Sequence, residues 1–278
     1  MSQYIDNTIN KLSSDMVESP VEVEKDVPPK GGLSVLMLIA MLSMLAYHIG
    51  SRYNAKTEII LYDYPYILML INGLFIPITA FVAVEAYHRT KSLKRYMLEL
   101  FILGIVSILP FLWVMDNPKL HQIDEVFGVL LGILAIYLRR SKVGIVVKAL
   151  LFPLMALVSF FIDLGIPFLI FMIIFDYFYG NVKYQRAGGI ILCVGLGALN
   201  FFAYPLQYIF YGEYLNFESL WYNITASLYG NAHAISYLIA ILLLLFYRGN
   251  AGNAKLRWVL YIFYPLHLIL LLFLMPIR

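Results

Sequence analysis

Nine long apolar blocks separated by short polar connections constrain this chain more than any other feature of its sequence. They fall at about 33–50, 65–87, 96–115, 122–138, 144–162, 164–180, 187–210, 231–247 and 257–276. Crossing the hydrocarbon of a bilayer takes ~20 apolar residues as a helix. Most blocks approach that length, and the first, fourth, sixth and eighth are shorter. Lipid offers the backbone no hydrogen-bond partners, so each block must satisfy its own amides and carbonyls as a helix. The expected fold is therefore all-α: a polytopic integral membrane bundle of about nine transmembrane helices. The fifth and sixth blocks abut at Asp163 and read either as a tight hairpin or as one broken element. Charged residues make up 13% of the chain, against about 25% in an ordinary soluble domain.

Lys and Arg placement sets the orientation. With the N-terminus in the cytoplasm, the inner connections carry Arg89, Lys91, Lys94 and Arg95, then Arg139, Arg140 and Lys142, then Lys183 and Arg186, then Arg248, Lys255 and Arg257. The polar N-terminal stretch adds Lys11, Lys25 and Lys30, making fifteen inside. Arg52, Lys56, Lys119 and Arg278 make four outside, and Lys148 is left within a block. Cytoplasmic loops are enriched in Lys and Arg, so helix count and orientation support each other. Residues 1–31 read as a disordered cytoplasmic tail without the apolar core of a cleaved signal peptide, and 32–278 as the membrane domain, in a bacterial inner membrane.

Several functions fall away at this stage. A net charge of +3 with basic residues in separate clusters leaves no continuous basic face for nucleic acid. The lone Cys193 permits neither an intramolecular disulfide nor a paired-cysteine metal site. Phosphate loops, nucleophile elbows and zinc-binding helical His pairs are all missing from the sequence, so no metal is expected and any enzyme must assemble its site from several helices. The outer connection from Tyr211 to Gly230, with Trp221, Tyr222 and Tyr229, reads as an interfacial aromatic belt or as a lid.

An ionisable side chain within a bilayer costs a few kcal/mol and asks for a reason. His48 closes the first block, Asn72 and Glu85 lie in the second, Asp163 sits between the fifth and sixth, His233 opens the eighth and His267 is in the middle of the ninth. In the expected topology His48, Asp163 and His233 lie near the outer face, Glu85 and His88 near the inner face, and His267 between. Such a distribution suits a polar cavity or tunnel that carries a reaction, an ion or a solute. His88 and His121 read as ordinary interfacial side chains.

Three stretches resemble the TraX family of bacterial membrane proteins. The first is Ala46-Tyr47-His48-Ile49-Gly50. The second is FIPITAFVAVEAYHRTKSLKRYMLELFILGIVSILPF, from Phe75 to Phe111. The third is RWVLYIFYPLHLILL, from Arg257 to Leu271. Asp163-Leu164-Gly165 stands where the family has Asp-Tyr-Gly. Tyr47 replaces the family's Asp before the first His, no Arg follows Gly73, and Ala86 replaces the Gly after the Glu.

The resemblance implies a membrane acyltransferase, distantly similar to other transmembrane acyltransferases, that moves an acetyl group from acetyl-CoA to the N-terminal amine of a pilin subunit. His48 would act as general base, and Glu85 or Asp163 would orient an imidazole or hold the acceptor ammonium. His267, Tyr264, Asn72 and His233 would face the substrate or the developing oxyanion. Arg89, Lys91, Lys94, Arg95, Arg139 and Arg140 would hold the CoA phosphates, although the topology rule alone also puts cations there. The same buried polar residues leave a transporter or proton pathway open, as well as a non-catalytic scaffold of a conjugation or secretion apparatus.

Overall fold

The computed structural model describes residues 32–57, 68, 71–115, 123–162, 164–210, 234–247 and 254–275, without the side chains of 53–57, 72, 200–201, 203–210 and 254–257. The expectations for the 1–31 tail, Asp163, His121, His233 and the outer aromatic connection therefore lie outside the described residues. Among the described residues, nine α-helices follow in order: α1 (Gly32–Thr57), α2 (Phe75–Arg89), α3 (Leu93–Val114), α4 (Glu125–Arg140), α5 (Ile145–Ser159), α6 (Gly165–Tyr177), α7 (Val182–Phe210), α8 (Ala234–Phe246) and α9 (Ala254–Leu274). Each apolar block corresponds to one helix. By length and composition, the spans Gly32–Arg52 and Leu93–Val114 are apolar enough to cross a membrane.

Local chemistry sets the ends. Ser92 caps α3 by accepting from the Arg95 amide, and Asp124 caps α4 by accepting from the Val126 amide at 2.8 Å. At the other end of α4, Lys148 donates to the carbonyls of Arg139 and Ser141 at 2.8 and 2.9 Å. That explains a cation inside an apolar block, since it stabilises the negative end of the preceding helix. The fifth and sixth blocks form two separate helices. Their connection is tied back to the start of α4 by the Ile123 amide donating to the Phe161 carbonyl at 2.6 Å, and Gly165 takes a positive φ of 61° as α6 begins.

At the centre, α2 and α4 pack on α6, α1 packs on α2, and α9 lies against α1 and α3. Gly128 and Gly132 sit one turn apart on α4, where an added Cβ would meet Leu164 and Met172 at 2.9 Å. Small residues at this spacing let two helices approach closely. Phe81, Phe168, Phe171 and Phe175 are fully buried, and Phe81 packs edge-on against Phe175 and Tyr247.

The exterior inverts the soluble pattern. Ile145, Val146 and Leu150 on α5, Val106, Leu109 and Trp113 on α3, and Phe273 on α9 are all exposed, while His48, Arg52, Asp124, Glu125, Asp176 and His267 are buried. Contiguous apolar surface on this scale is foreign to a monomeric soluble protein.

Candidate functional site

Helices α1, α3, α4 and α9 converge on His48. Its Nδ1 lies 2.9 Å from Nε2 of His267, 219 positions away in sequence. His267 Nδ1 lies 2.9 Å from the carbonyl of Phe263. A carbonyl only accepts, so Nδ1 of His267 carries the proton and, in the neutral ring, Nε2 accepts. His48 must then donate from Nδ1, which leaves the lone pair of its Nε2 as the basic end of the pair.

That Nε2 lies 3.8 Å from Oε1 of Glu125, and both side chains are buried. The separation is too long for a direct hydrogen bond. One atom beside the line joining them reaches both within hydrogen-bond range, so the gap is shaped for a third, proton-bearing group. Glu125 is the first residue of α4, where the helix dipole favours a carboxylate. Its neighbour Asp124 accepts from the Tyr264 hydroxyl at 2.9 Å, which ties the start of α4 to α9. Phe111 closes the site edge-on to His48, with ring centroids 6.1 Å apart.

Arg52 lies one turn beyond His48. Its guanidinium donates to the carbonyls of Met275 and Trp113 at 2.8 and 2.6 Å, joining the ends of α9 and α3 to α1.

A second polar cluster occupies the opposite end of α4. Asp176, fully buried on α6, takes Arg139 Nε at 2.7 Å, Arg140 Nε at 2.8 Å and His88 Nε2 at 2.7 Å. His88 also stacks on Tyr179, with centroids 3.6 Å apart. Beside it, Arg89 donates to Glu85 and to the Tyr247 hydroxyl, each at 2.7 Å. Glu125 and Arg139 are fourteen residues apart on one helix, which separates the clusters by about 21 Å at 1.5 Å per residue.

A cavity of about 390 Å³ runs between these ends. Arg89, Thr90 and Tyr96 stand at one end and Glu125 and Tyr264 at the other, with Met37, Met44, Ala83 and Leu103 among the apolar side chains between. Among the described residues, no group of three or more His, Cys, Asp or Glu is placed to hold a metal ion.

The expected site residues thus divide. His48, His267 and Tyr264 come together. Glu85 belongs to the Arg89 end, and the carboxylate facing His48 is Glu125. Asn72 opens a short 3-10 turn before α2, and its side chain lies outside the described residues. Arg139 and Arg140 are committed to Asp176, Arg95 pairs with Glu99 at 3.0 Å, and Lys91 and Lys94 are exposed beside the cavity's Arg89 end. Sequence reasoning passed over Asp124, Glu125 and Asp176, although each lies inside an apolar block and the test applied to Glu85 would have found them.

The profile of the TraX protein family matches residues 32–275. The probable fimbrial assembly protein FimC, serogroup H1, of Dichelobacter nodosus is 22% identical over 215 residues, covering 73% of this chain and 81% of that protein. No solved structure matches.

Proposed function

Since the chain belongs to the TraX family, we propose that it is a multi-pass protein of the bacterial inner membrane that transfers an acetyl group from acetyl-CoA to the N-terminal amine of a pilin subunit. Membrane association is supported by the two long apolar helices and by the apolar exterior. The pilus context is supported by the family and by the fimbrial assembly role in the relative's name. The observation that carries the chemistry is the His48–His267 pair facing Glu125 inside an otherwise apolar bundle.

The residues present fit an acetyl-CoA donor. The cavity reaches from the Arg89 end to the edge of the His48 site, and Lys91 and Lys94 remain exposed beside it for phosphate groups. When bound, the donor supplies an acetyl group already activated as a thioester. Glu125 draws in the acceptor ammonium, takes its surplus proton so that the nitrogen gains a lone pair, and holds the resulting amine against His48; that proton leaves to water when the product departs. His48 Nε2 takes the proton of the acceptor nitrogen as the C–N bond forms, and returns it to the departing sulfur as the C–S bond breaks. His267 fixes the His48 tautomer, the role for which the family's Asp, here Tyr47, is absent. Tyr264 and His267 already donate to Asp124 and to the Phe263 carbonyl, so both are positioning residues in this reading.

The test is intact-mass analysis of small membrane and secreted proteins from cells carrying the wild-type chain, His48→Ala or no copy. A mass gain of one acetyl group on a pilin-sized protein, present only with the wild type, is the expected result. No acetyl-sized difference, with the protein confirmed in the membrane, overturns the enzyme reading.

A further inference from the structure

One polar group beside His48 has no part in the reaction described so far. On α1, Leu33, Met37, Ala40 and Met44 line the cavity and follow one another at steps of four, three and four residues, the spacing of a single helical face. Continuing by four and then three reaches His48 and Ser51, so both stand on the face that meets the site. Arg52, the next residue, is turned instead toward the ends of α3 and α9, where it donates to the carbonyls of Trp113 and Met275.

The Ser51 hydroxyl is buried and has no hydrogen-bond partner among the described residues. A serine within a helix has a ready alternative, donating to a carbonyl one turn back. Ser107 does so to Leu103 at 2.8 Å and Ser159 to Ala156 at 2.6 Å. Ser51 does not, although it too lies inside a helix with carbonyls one turn behind it. A buried hydroxyl left unpaired costs free energy, so this one suits a hydrogen bond that a bound molecule completes.

Depth selects the molecule. Along α1 the cavity ends at Met44, one turn before His48 and on the side of Arg89, so a donor lying in it presents its acyl group from that side. Ser51 lies one turn beyond His48, toward the helix ends that Arg52 ties together. That is the side left to the acceptor. Residues three apart on a helix have Cβ atoms about 5–6 Å apart. In a polypeptide N-terminus only two carbon atoms separate the amine nitrogen from the first carbonyl oxygen, so a nitrogen held at His48 Nε2 brings that oxygen within reach of the Ser51 hydroxyl.

We propose that Ser51 reads the acceptor as a polypeptide N-terminus, its hydroxyl donating a hydrogen bond to the first peptide carbonyl while Glu125 and His48 handle the amine. This rests on the acyl-transfer reading above and adds a preference to it. An α-amine beside a carbonyl is favoured over an amine on a plain carbon chain, a lysine side chain included. A site built to hydrogen-bond a substrate group discriminates against the analogue that lacks it.

The experiment uses the full chain in detergent with acetyl-CoA and two acceptors. One is trialaninamide, and the other is its analogue with a trans alkene in place of the first peptide bond, which lacks the carbonyl. Ser51→Ala should lower the ratio of kcat/KM for the amide over the alkene about tenfold relative to the wild type, the rate equivalent of one hydrogen bond. Intrinsic differences between the two amines cancel in that comparison. Turnover of the alkene analogue should be unchanged, which also shows that the variant is folded. Ser51→Thr, which keeps a hydroxyl, should retain the wild-type ratio. Ser51→Cys, close in size but a weak donor, repeats the measurement if Ser51→Ala fails to fold, and should also lower the ratio. A ratio that these hydroxyl-removing variants leave at the wild-type value, or equal losses on both acceptors, overturns the assignment and retains the transfer reaction. Acetylation of neither acceptor by the wild type also overturns it, and the intact-mass comparison with His48→Ala then decides whether the transfer reading falls as well.

Discussion

The two ends of α4 are built on opposite rules. At the Arg140 end, one fully buried carboxylate is met by two guanidinium groups and an imidazole. At the Glu125 end, two imidazoles bond to each other and leave a basic nitrogen facing a carboxylate across 3.8 Å. The first arrangement is made of direct ion pairs, and the second leaves His48 Nε2 too far from the carboxylate for a direct hydrogen bond. A cluster of direct ion pairs holds helices together, whereas a buried basic nitrogen with no hydrogen-bond partner among the described residues is costly unless it is used. In the proposed reaction, the difference separates the residues that hold α2, α4 and α6 in place from those that would do chemistry.

The sharpest way to break that distinction is to remove the base. His48→Ala should lower acetyl transfer by about 10²–10⁴-fold, the usual contribution of a positioned general base. It should cost no more than about 1.5 kcal/mol of stability, because it removes one hydrogen bond and leaves no charge stranded. Rates from acceptor mass against time, paired with thermal unfolding in detergent, report both quantities. A large loss of stability with little change in rate per folded molecule would reverse the roles assigned to the two ends.

Asp176→Ala is the converse. It strands Arg139 and Arg140, whose side chains are 27% and 41% exposed, so the cost is about 2 kcal/mol, below the ~3–5 kcal/mol of a fully buried pair. The unfolding transition should fall while turnover per folded molecule stays near wild type. If turnover instead collapses and stability holds, this cluster belongs to the donor site after all.

His267 tests whether the imidazole pair works as a unit. His267→Ala removes the acceptor of the His48 Nδ1 proton and should slow transfer about 10- to 100-fold, the rate equivalent of losing a hydrogen bond of about 1.4–2.8 kcal/mol. His267→Gln retains a carbonyl oxygen that can accept that proton, and should recover much of the loss. Equal defects in both variants would mean that His267 acts through its own basicity and not by fixing a tautomer.

Much of this was legible in the sequence. Long apolar runs have few folded solutions, which is why the nine blocks appear as nine helices among the described residues and why an isolated His within one demanded a role. The pairing of polar groups was not legible, because it depends on helix rotation and depth. Glu85 and Glu125 both sit at the edges of apolar blocks, and only packing decides which carboxylate faces His48. Arg139 and Arg140 resembled free phosphate ligands because their partner Asp176 is thirty-six residues or more away and on another helix. Lys148 resembled an intruder in a span because a helix C-terminus that needs a cation is visible only once α4 and α5 are placed.

Tyr264→Phe should have the smallest effect, and its size measures how rigid the chemical end must be. The hydroxyl donates to Asp124 Oδ1, an oxygen that also caps α4 by accepting from the Val126 amide. Removing it leaves the cap intact, so the stability cost is that of one hydrogen bond, about 1 kcal/mol. Glu125, the next residue, would then lose the tie that Tyr264 makes between the start of α4 and α9, and its carboxylate could drift relative to His48. Because His48 acts on whatever Glu125 holds, the change should raise the KM for the acceptor more than it lowers kcat. Asp124→Ala removes the cap as well and should cost about 1 kcal/mol more. If Tyr264→Phe instead abolishes kcat with KM unchanged, the hydroxyl acts on the reacting atoms, and the contrast between a saturated end and a reactive end must be redrawn to include it.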